Sequence, residues 1–283
     1  MSTAIPRATL FVVATPIGNL ADMVPRAVAV LQSADAIAVE DTRHSGKLLQ
    51  HFSISKPLIP YHDHNERDAA ERILTLLQQG KRVALISDAG TPAIADPGYR
   101  LVRLAHQHGV RVESIPGPCA AIAALAGSGL PSDAFRFHGF LPAKQQARCA
   151  ALQGLASETA TLIFYEAPHR LADTAHDLAA VFGDAREVCL ARELSKHYET
   201  LWLTTLGELV RAIDAKQVEE RGEIVLVVAG AAEAVAAPDE SDRVLAILLA
   251  ELPVKQAAAL AAQISGAGKR ELYQRALALK DAD

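Results

Sequence analysis

Two short stretches set a carboxylate beside an arginine, a pairing that can grip a phosphate, orient a ribose hydroxyl or move a proton. The first is EDTRHS (40–45), with Glu40, Asp41 and Arg43. The second is YEAPHR (165–170), with Tyr165, Glu166, His169 and Arg170. For each, an ion pair that only holds a strand end is the alternative. His169 is the best candidate proton acceptor, because imidazole changes charge near neutrality, and Glu166 is the second. RELSKH (192–197) supplies Lys196 in a similar position. Arg43, Arg170 and Lys196 are the expected phosphate holders. His62, His64, His106 and His108 stand in no metal-like arrangement. Cys119, Cys149 and Cys189 are far apart and odd in number, so they suggest buried thiols in a reducing cytosol rather than a disulfide framework.

A different chemistry belongs to the loops. DAGTPAIADPG (88–98) combines Gly90 and Gly98, which permit tight turns and close approach, with Pro92 and Pro97, which fix φ. Such a rigid loop exposes backbone amides and carbonyls to a polar small molecule. PGPCAAIAALAG (116–127) puts a Pro-Gly-Pro turn at a helix start, whose free amides favour an anionic group. TPIGN (15–19) lacks the G-x-G-x-x-G of a dinucleotide site, and no P-loop pattern occurs, which disfavours nicotinamide and nucleotide-triphosphate readings.

The elements that must position these groups alternate between strand-length apolar runs and helical patterns. TLFVVA (9–14), AIAVE (36–40), RVALIS (82–87), VRVESI (110–115), TLIFYE (161–166), EVCLARE (187–193) and EIVLVVAG (223–230) are the expected strands. The alternation predicts an α/β architecture with largely parallel, buried strands. Nearly every run passes straight into one of the loops above. In an open parallel sheet the carboxyl ends of the strands share one edge, so the loops are expected to build one site.

Glycine and proline are dense between Pro116 and Leu141, and AGAAEAVAAPDESD (229–242) reads as a linker. The expected division is therefore an N-terminal α/β domain over 1–117, a second over 118–232 and a C-terminal unit over 240–283. In that last unit, Ala258, Ala261 and Ile264 form one helical stripe and Leu272, Ala276 and Leu279 another, around Gly266-Ala267-Gly268. Two short helices about a glycine turn fit a helix-turn-helix. Five basic residues against one acidic lie between Val254 and Lys280, in a chain of net charge -5. This asymmetry favours a nucleic-acid-facing surface that uses Lys269 and Arg270. The overall negative charge points to a local contact or to a ready-made assembly as partner. No apolar run reaches the roughly 18 residues of a membrane span.

In this order, TPIGNLAD, EDTR, SDAGTPAIADPG, PGPCA, YEAPHR and RELSK resemble the ribosomal RNA small subunit methyltransferase I family, within the tetrapyrrole-methylase fold superfamily. The resemblance spans about residues 9–230, and the C-terminal unit is similar to the family's own helix-turn-helix extension. It implies two α/β domains with S-adenosylmethionine in the cleft between them, and a cytoplasmic homodimer. The implied activity is 2'-O-methylation of a cytidine in the decoding region of 16S rRNA, within the small ribosomal subunit. The implied cofactor contacts are Asp88, Ala89, Gly90, Thr91, Pro92 and Ile94, then Pro116, Cys119 and Ala120, with Tyr165, Ala191, Gly222 and Glu223 completing the pocket. Thr15, Pro16, Gly18 and Asn19 match the loop that faces the acceptor. Where family members often carry serine, this chain has Ala95 and Cys119. A tetrapyrrole methyltransferase and a non-catalytic, ligand-sensing nucleic-acid binder are the rival readings.

Overall fold

The computed structural model describes residues 8–232, 240–266 and 268–280. The first compact unit ends at Gly230 and the second begins at Ala231.

The first sheet of the first unit is wholly parallel. Its strands are β1 (Thr9–Val13), β2 (Ala36–Val39), β3 (Leu58–Pro60), β4 (Val83–Leu85) and β5 (Arg111–Ile115), in the order β3-β2-β4-β1-β5. The helices α1 (Pro25–Ser33), α2 (Thr42–His51), α3 (Glu66–Gln78) and α4 (Tyr99–Gln107) make the crossovers. The central strands are buried on both faces. Phe11, Val13 and Ile37 pack into one cluster with α1, and Leu10, Ala38 and Leu85 into another with α3 and α4. The chain winds outward from β1 to β3 and then returns, so that β4 and β5 flank β1. That return brings the loops after β1, β4 and β5 side by side on the carboxyl edge, as the sequence pattern requires.

The second sheet departs from expectation. It comprises β6 (Phe135–Phe140), β7 (Thr161–Glu166), β8 (Glu187–Arg192), β9 (Thr200–Thr205) and β10 (Ile224–Val228), in the order β6-β7-β10-β8-β9. Only β6 and β7 are parallel; β10 runs antiparallel to both neighbours, and β8 and β9 are antiparallel. The continuous apolar runs report burial on both faces, not strand direction. Leu162, Phe164, Leu190 and Leu226 face α6 (Gln145–Gln153), α7 (Leu171–Phe182) and α8 (Leu206–Asp214). Ile163, Cys189, Val225 and Val227 face α5 (Ala120–Ser128).

The second unit holds α9 (Glu240–Glu251), α10 (Val254–Ser265) and α11 (Lys269–Lys280) around Leu245, Ala257, Ala258, Ala261, Leu272 and Ala276. Two expectations need correction here. Glu240 to Asp242 begin α9 rather than end a linker, and residues 233–239 of that stretch lie outside the described residues. Ile264 and Leu279 are exposed, because α9 completes the core over the earlier turns of α10 and α11. Ala267, at the middle of the glycine turn, lies outside the described residues, while Gly266 closes α10 with φ 74°.

Candidate active site

A cavity of 320 Å³ opens in the first unit, within the range of small-ligand sites. Its walls come from the loops after β1, β4, β5 and β7 and from the start of β10. Two bonds join the first two loops: Thr15 donates its amide to Gly90 O at 2.8 Å and Gly90 donates to Thr15 O at 3.1 Å. The Thr91 hydroxyl donates to Pro118 O at 2.9 Å, tying the same loop to the turn before α5. Gly90 has φ 83°, and Ala93 and Ala95 adopt φ 67° and 63°. Left-handed alanines cost about 1–2 kcal/mol each, so the surroundings must over-determine this loop.

On the opposite wall, the Tyr165 hydroxyl accepts from Ala121 N at 3.1 Å. Burial pushes this phenol up, which keeps it neutral, and the nearby Cys119 adds to the shift. The floor at Gly222 and Glu223 is held by Glu193, whose Oε1 accepts from Glu223 N at 2.9 Å and from Lys196 Nζ at 2.7 Å. Gly222 has φ 82°, and a Cβ there would meet the Glu193 carboxyl at 2.3 Å, so only glycine fits. The Lys196 ammonium also lies 3.3 Å from Glu223. Burial alone would pull Lys196 down, but the two carboxylates outweigh it and the net direction is up.

The walls are mainly apolar, with Ile17, Ile94, Phe140, Ile224 and Val225, and three acidic residues line the cavity, Asp96, Glu166 and Glu223. Asp96 is pushed up to about 6, first by burial and then by the charge of Glu40; a hydrogen bond from Ser87 partly offsets this. Burial and Asp88 in turn push Glu40 up. Among the described residues no cationic side chain pairs with Asp96. A half-buried carboxylate without a cation, in an apolar cavity, is a site for a positively charged ligand group.

The cavity gathers part of the expected set. Ala89, Gly90, Thr91, Ile94, Cys119, Ala120, Tyr165, Gly222 and Glu223 all line it, and Ala95 with them. Asp88, Pro92, Pro116 and Ala191 do not. Asp88 accepts from Asp41 N and from the Ser45 hydroxyl, Pro92 is buried and Pro116 is exposed. Ala191 sits behind the wall, cross-strand from Val225.

The expected acid–base groups are also divided. Glu166 reaches the cavity, but its carboxylate accepts from the Thr174 hydroxyl at 2.6 Å and from Ala167 N at 2.8 Å. Arg170 Nε stands 3.3 Å from Glu166, while its Nη2 donates to Leu141 O at 2.7 Å and to Pro142 O at 3.2 Å. Arg170 is thus engaged in holding the turn. Lys196 is engaged in the same way by Glu193 and Glu223. His169 is exposed one residue beyond Pro168, which lines the cavity.

On the acceptor side, Thr15 and Pro16 are buried, and Thr15 donates its hydroxyl to Ser87 O. Gly18 packs on the Lys196 side chain, and Asn19 accepts from Ala21 N. Asp41 caps α2, and Arg43, fully in solvent, holds its carboxyl down at about 2. In the second unit, Lys269 and Arg270 join Lys255 and Tyr273 around an open recess.

Sequence reasoning missed Asp96 and Phe140. Asp96 lies within the quoted loop, but nothing in its spacing tells which of the loop's two acids turns inward. Phe140 ends β6, a strand whose FRFHGF pattern carries no clean period.

Residues 9–210 match the family model of Tetrapyrrole (Corrin/Porphyrin) Methylases, and residues 235–280 match that of the RsmI C-terminal HTH domain. The ribosomal RNA small subunit methyltransferase I of Escherichia coli O157:H7 is 53% identical over 269 residues, 95% of this chain and 94% of that protein. The protein of the same name from Pseudomonas aeruginosa is 54% identical over 274 residues, 95% of this chain and 96% of its own length. Among solved structures, uroporphyrin-III-C-methyltransferase from Thermus thermophilus has a TM-score of 0.56 at 20% identity, over 79% of this chain and 94% of that one. A structure of the same enzyme complexed with S-adenyl homocysteine has a TM-score of 0.53 at 18% identity, over 78% of this chain and 96% of that one.

Proposed function

Because the chain belongs to the ribosomal RNA small subunit methyltransferase I family, we propose that it methylates the ribose 2'-hydroxyl of a cytidine in the decoding region of 16S rRNA, using S-adenosylmethionine. The observation that carries the chemistry is Asp96, a carboxylate without a cationic partner in an apolar cavity. S-adenosylmethionine fits that site, because its sulfonium and ammonium are cations on a largely apolar body. When bound, it supplies an electrophilic methyl group that needs no metal to activate it.

The residues have four tasks. Asp96 and Glu223 hold the positive charge. The backbone of Ala89, Gly90 and Thr91, braced by Thr15 and Pro118, fixes where the ligand lies. Ile17, Ile94, Phe140 and Val225 exclude water. His169 would take the proton that the acceptor hydroxyl gives up on methylation. Orientation of this kind supplies on the order of 7–11 kcal/mol in favourable intramolecular models. A positioned base adds about 100- to 10,000-fold. His169→Ala is accordingly expected to slow single-turnover methyl transfer at least about 100-fold with cofactor affinity unchanged. A near-normal rate in that variant assigns the proton to water or to another group. Glu166 serves as a positioning residue, fixing the turn that carries His169.

The basic recess of the second unit, with Lys255, Lys269, Arg270 and Tyr273, favours the RNA substrate over a tetrapyrrole. A ribosomal acceptor implies a cytoplasmic enzyme, and no described helix is long and apolar enough to cross a membrane. The same reading includes a homodimer. Its support is α5, an apolar helix with Ile122, Ala123 and Ala126 exposed, beside the edge strand β9 with exposed Leu201 and Leu203. Sedimentation at the mass of a single chain would remove that part.

The deciding experiment is transfer of radiolabelled methyl to small ribosomal subunits, naked 16S rRNA and a total tRNA pool. Label at a ribose 2'-oxygen of the small subunit is the expected result. Label in none of the three, with cofactor bound, overturns the reading.

A further inference from the structure

The first unit carries a second recess that the reading above leaves unused. It lies between α3 and α4, has a volume of 450 Å³ and is lined by Arg67, Glu71, Tyr99, Arg100, Arg103 and Gln107 among others. Arg100 is paired with Glu66 at 2.8 Å. Neither Arg67 nor Arg103 has a carboxylate partner among the described residues, and both are exposed. With Arg100 compensated by Glu66, Arg67 and Arg103 against the one lining carboxylate of Glu71 leave the groove a small positive excess in a chain of net charge -5.

Tyr99 lines it with 62% of its surface exposed. The ring is also held in place. Arg103 donates to the Tyr99 hydroxyl at 2.7 Å, and its guanidinium carbon lies 6.0 Å from the ring centroid. A fixed, exposed aromatic face between unpaired arginines is the arrangement that binds single-stranded nucleic acid, bases on the ring and phosphates on the cations.

Its location agrees. Tyr99 is three residues beyond Asp96, which lines the cavity, so the two α-carbons are at most about 11 Å apart along the chain. We propose that the α3–α4 groove is a docking track for a single-stranded segment of the substrate RNA, with Tyr99 stacking one base and Arg67 and Arg103 taking phosphates. The inference rests on the RNA-methyltransferase reading for the identity of the strand. It adds a contact that neither the cofactor cavity nor the helical unit supplies.

The test is fluorescence anisotropy of a labelled single-stranded RNA oligonucleotide with the full chain over a salt series. Tyr99→Ala is expected to weaken binding about tenfold, and Tyr99→Phe to keep most of the affinity. Arg67→Gln and Arg103→Gln should each reduce the salt slope by about 1. All these side chains are exposed, and S-adenosylmethionine affinity, read in parallel, should stay at the wild-type value. Wild-type affinity and slope in Tyr99→Ala and both arginine variants overturn the proposal, as does a wild-type chain that binds no oligonucleotide at low salt. Methyl transfer to small subunits separates the two readings. Its absence in the wild type defeats the rRNA assignment, whereas transfer with unchanged KM in Tyr99→Ala defeats the groove alone.

Discussion

Asp96→Asn is expected to weaken S-adenosylmethionine binding about ten- to a hundredfold and, at the same time, to raise the melting temperature of the cofactor-free protein. Both effects follow from one carboxyl pushed up to about 6 by burial and by Glu40. The ordinary value, 3.8, is the unfolded reference, so the folded state binds the proton more tightly and ionisation opposes folding. This contribution is absent below pH 3.8, grows as pH rises towards 6, and is constant above. Asparagine removes it, retains an acceptor for Ser87, and should make the empty protein more stable at pH 7.

A cationic ligand needs the ionised form. Wild-type affinity should therefore fall as pH drops through 6, approaching tenfold per pH unit below it, and the variant should lose that dependence. Isothermal titration of S-adenosylmethionine between pH 5 and 8, with thermal melts of the empty protein, reads both signs. Equal affinity in wild type and variant at pH 7.5 would sink the assignment of Asp96 to the cationic part of the ligand.

Arg148→Ala is expected to cost about 3–5 kcal/mol of stability. Its guanidinium lies 2.6 Å from Asp177, with side-chain exposures of 3% and 6%. Arg148 also donates to Ala143 O at 3.1 Å, and Gln145 donates to the second Asp177 oxygen at 3.0 Å. Burial alone would raise the Asp177 carboxyl, but the hydrogen bonds from Gln145 and Arg148 and the charge of Arg148 outweigh it, and the net direction is down. A lowered carboxyl contributes stability above its unfolded value and loses it as pH falls towards the folded one. The wild type should therefore destabilise on acidification in a way the variant does not.

Alanine leaves the Asp177 charge buried without its cation, which is where most of the cost arises. The double replacement Arg148→Met with Asp177→Leu should regain most of the stability, and chemical denaturation of the wild type and the two variants reads the difference. A single variant within about 1 kcal/mol of wild type would show that solvent reaches Asp177 despite its burial.

The strand-by-strand reading succeeded where burial on both faces wrote a continuous apolar run. TLIFYE predicts β7 to the residue, and TLFVVA overshoots β1 by one. The strands left unread are those without that signature. β3 has three residues and ends in proline, β6 carries Arg136, His138 and Gly139, and β9 is an alternating edge strand. Strand direction was not legible at all, since β8 and β10 are as apolar as any parallel strand.

Within the site, the loops were legible because glycine and proline announce unusual backbone. The side-chain roles were not. Glu166 and Arg170 read as chemistry but hold a turn, and Asp41 reads as a ligand but caps a helix. Asp96 acquires its character only from burial and from Glu40, which arrives from a different strand.

The position of β1 between β4 and β5 has a consequence during synthesis. Its hydrogen-bonding partners begin at Val83, about 70 residues after the strand itself ends. At about 5–20 residues per second, the ribosome takes roughly 4–14 s to deliver them. Throughout that interval TLFVV is an apolar strand with both edges open, the type of segment that pairs wrongly with other chains. The nascent protein should thus depend on chaperones most heavily over its first hundred residues. The Thr15–Gly90 bridge, and with it the cofactor wall, can close only after that wait has ended.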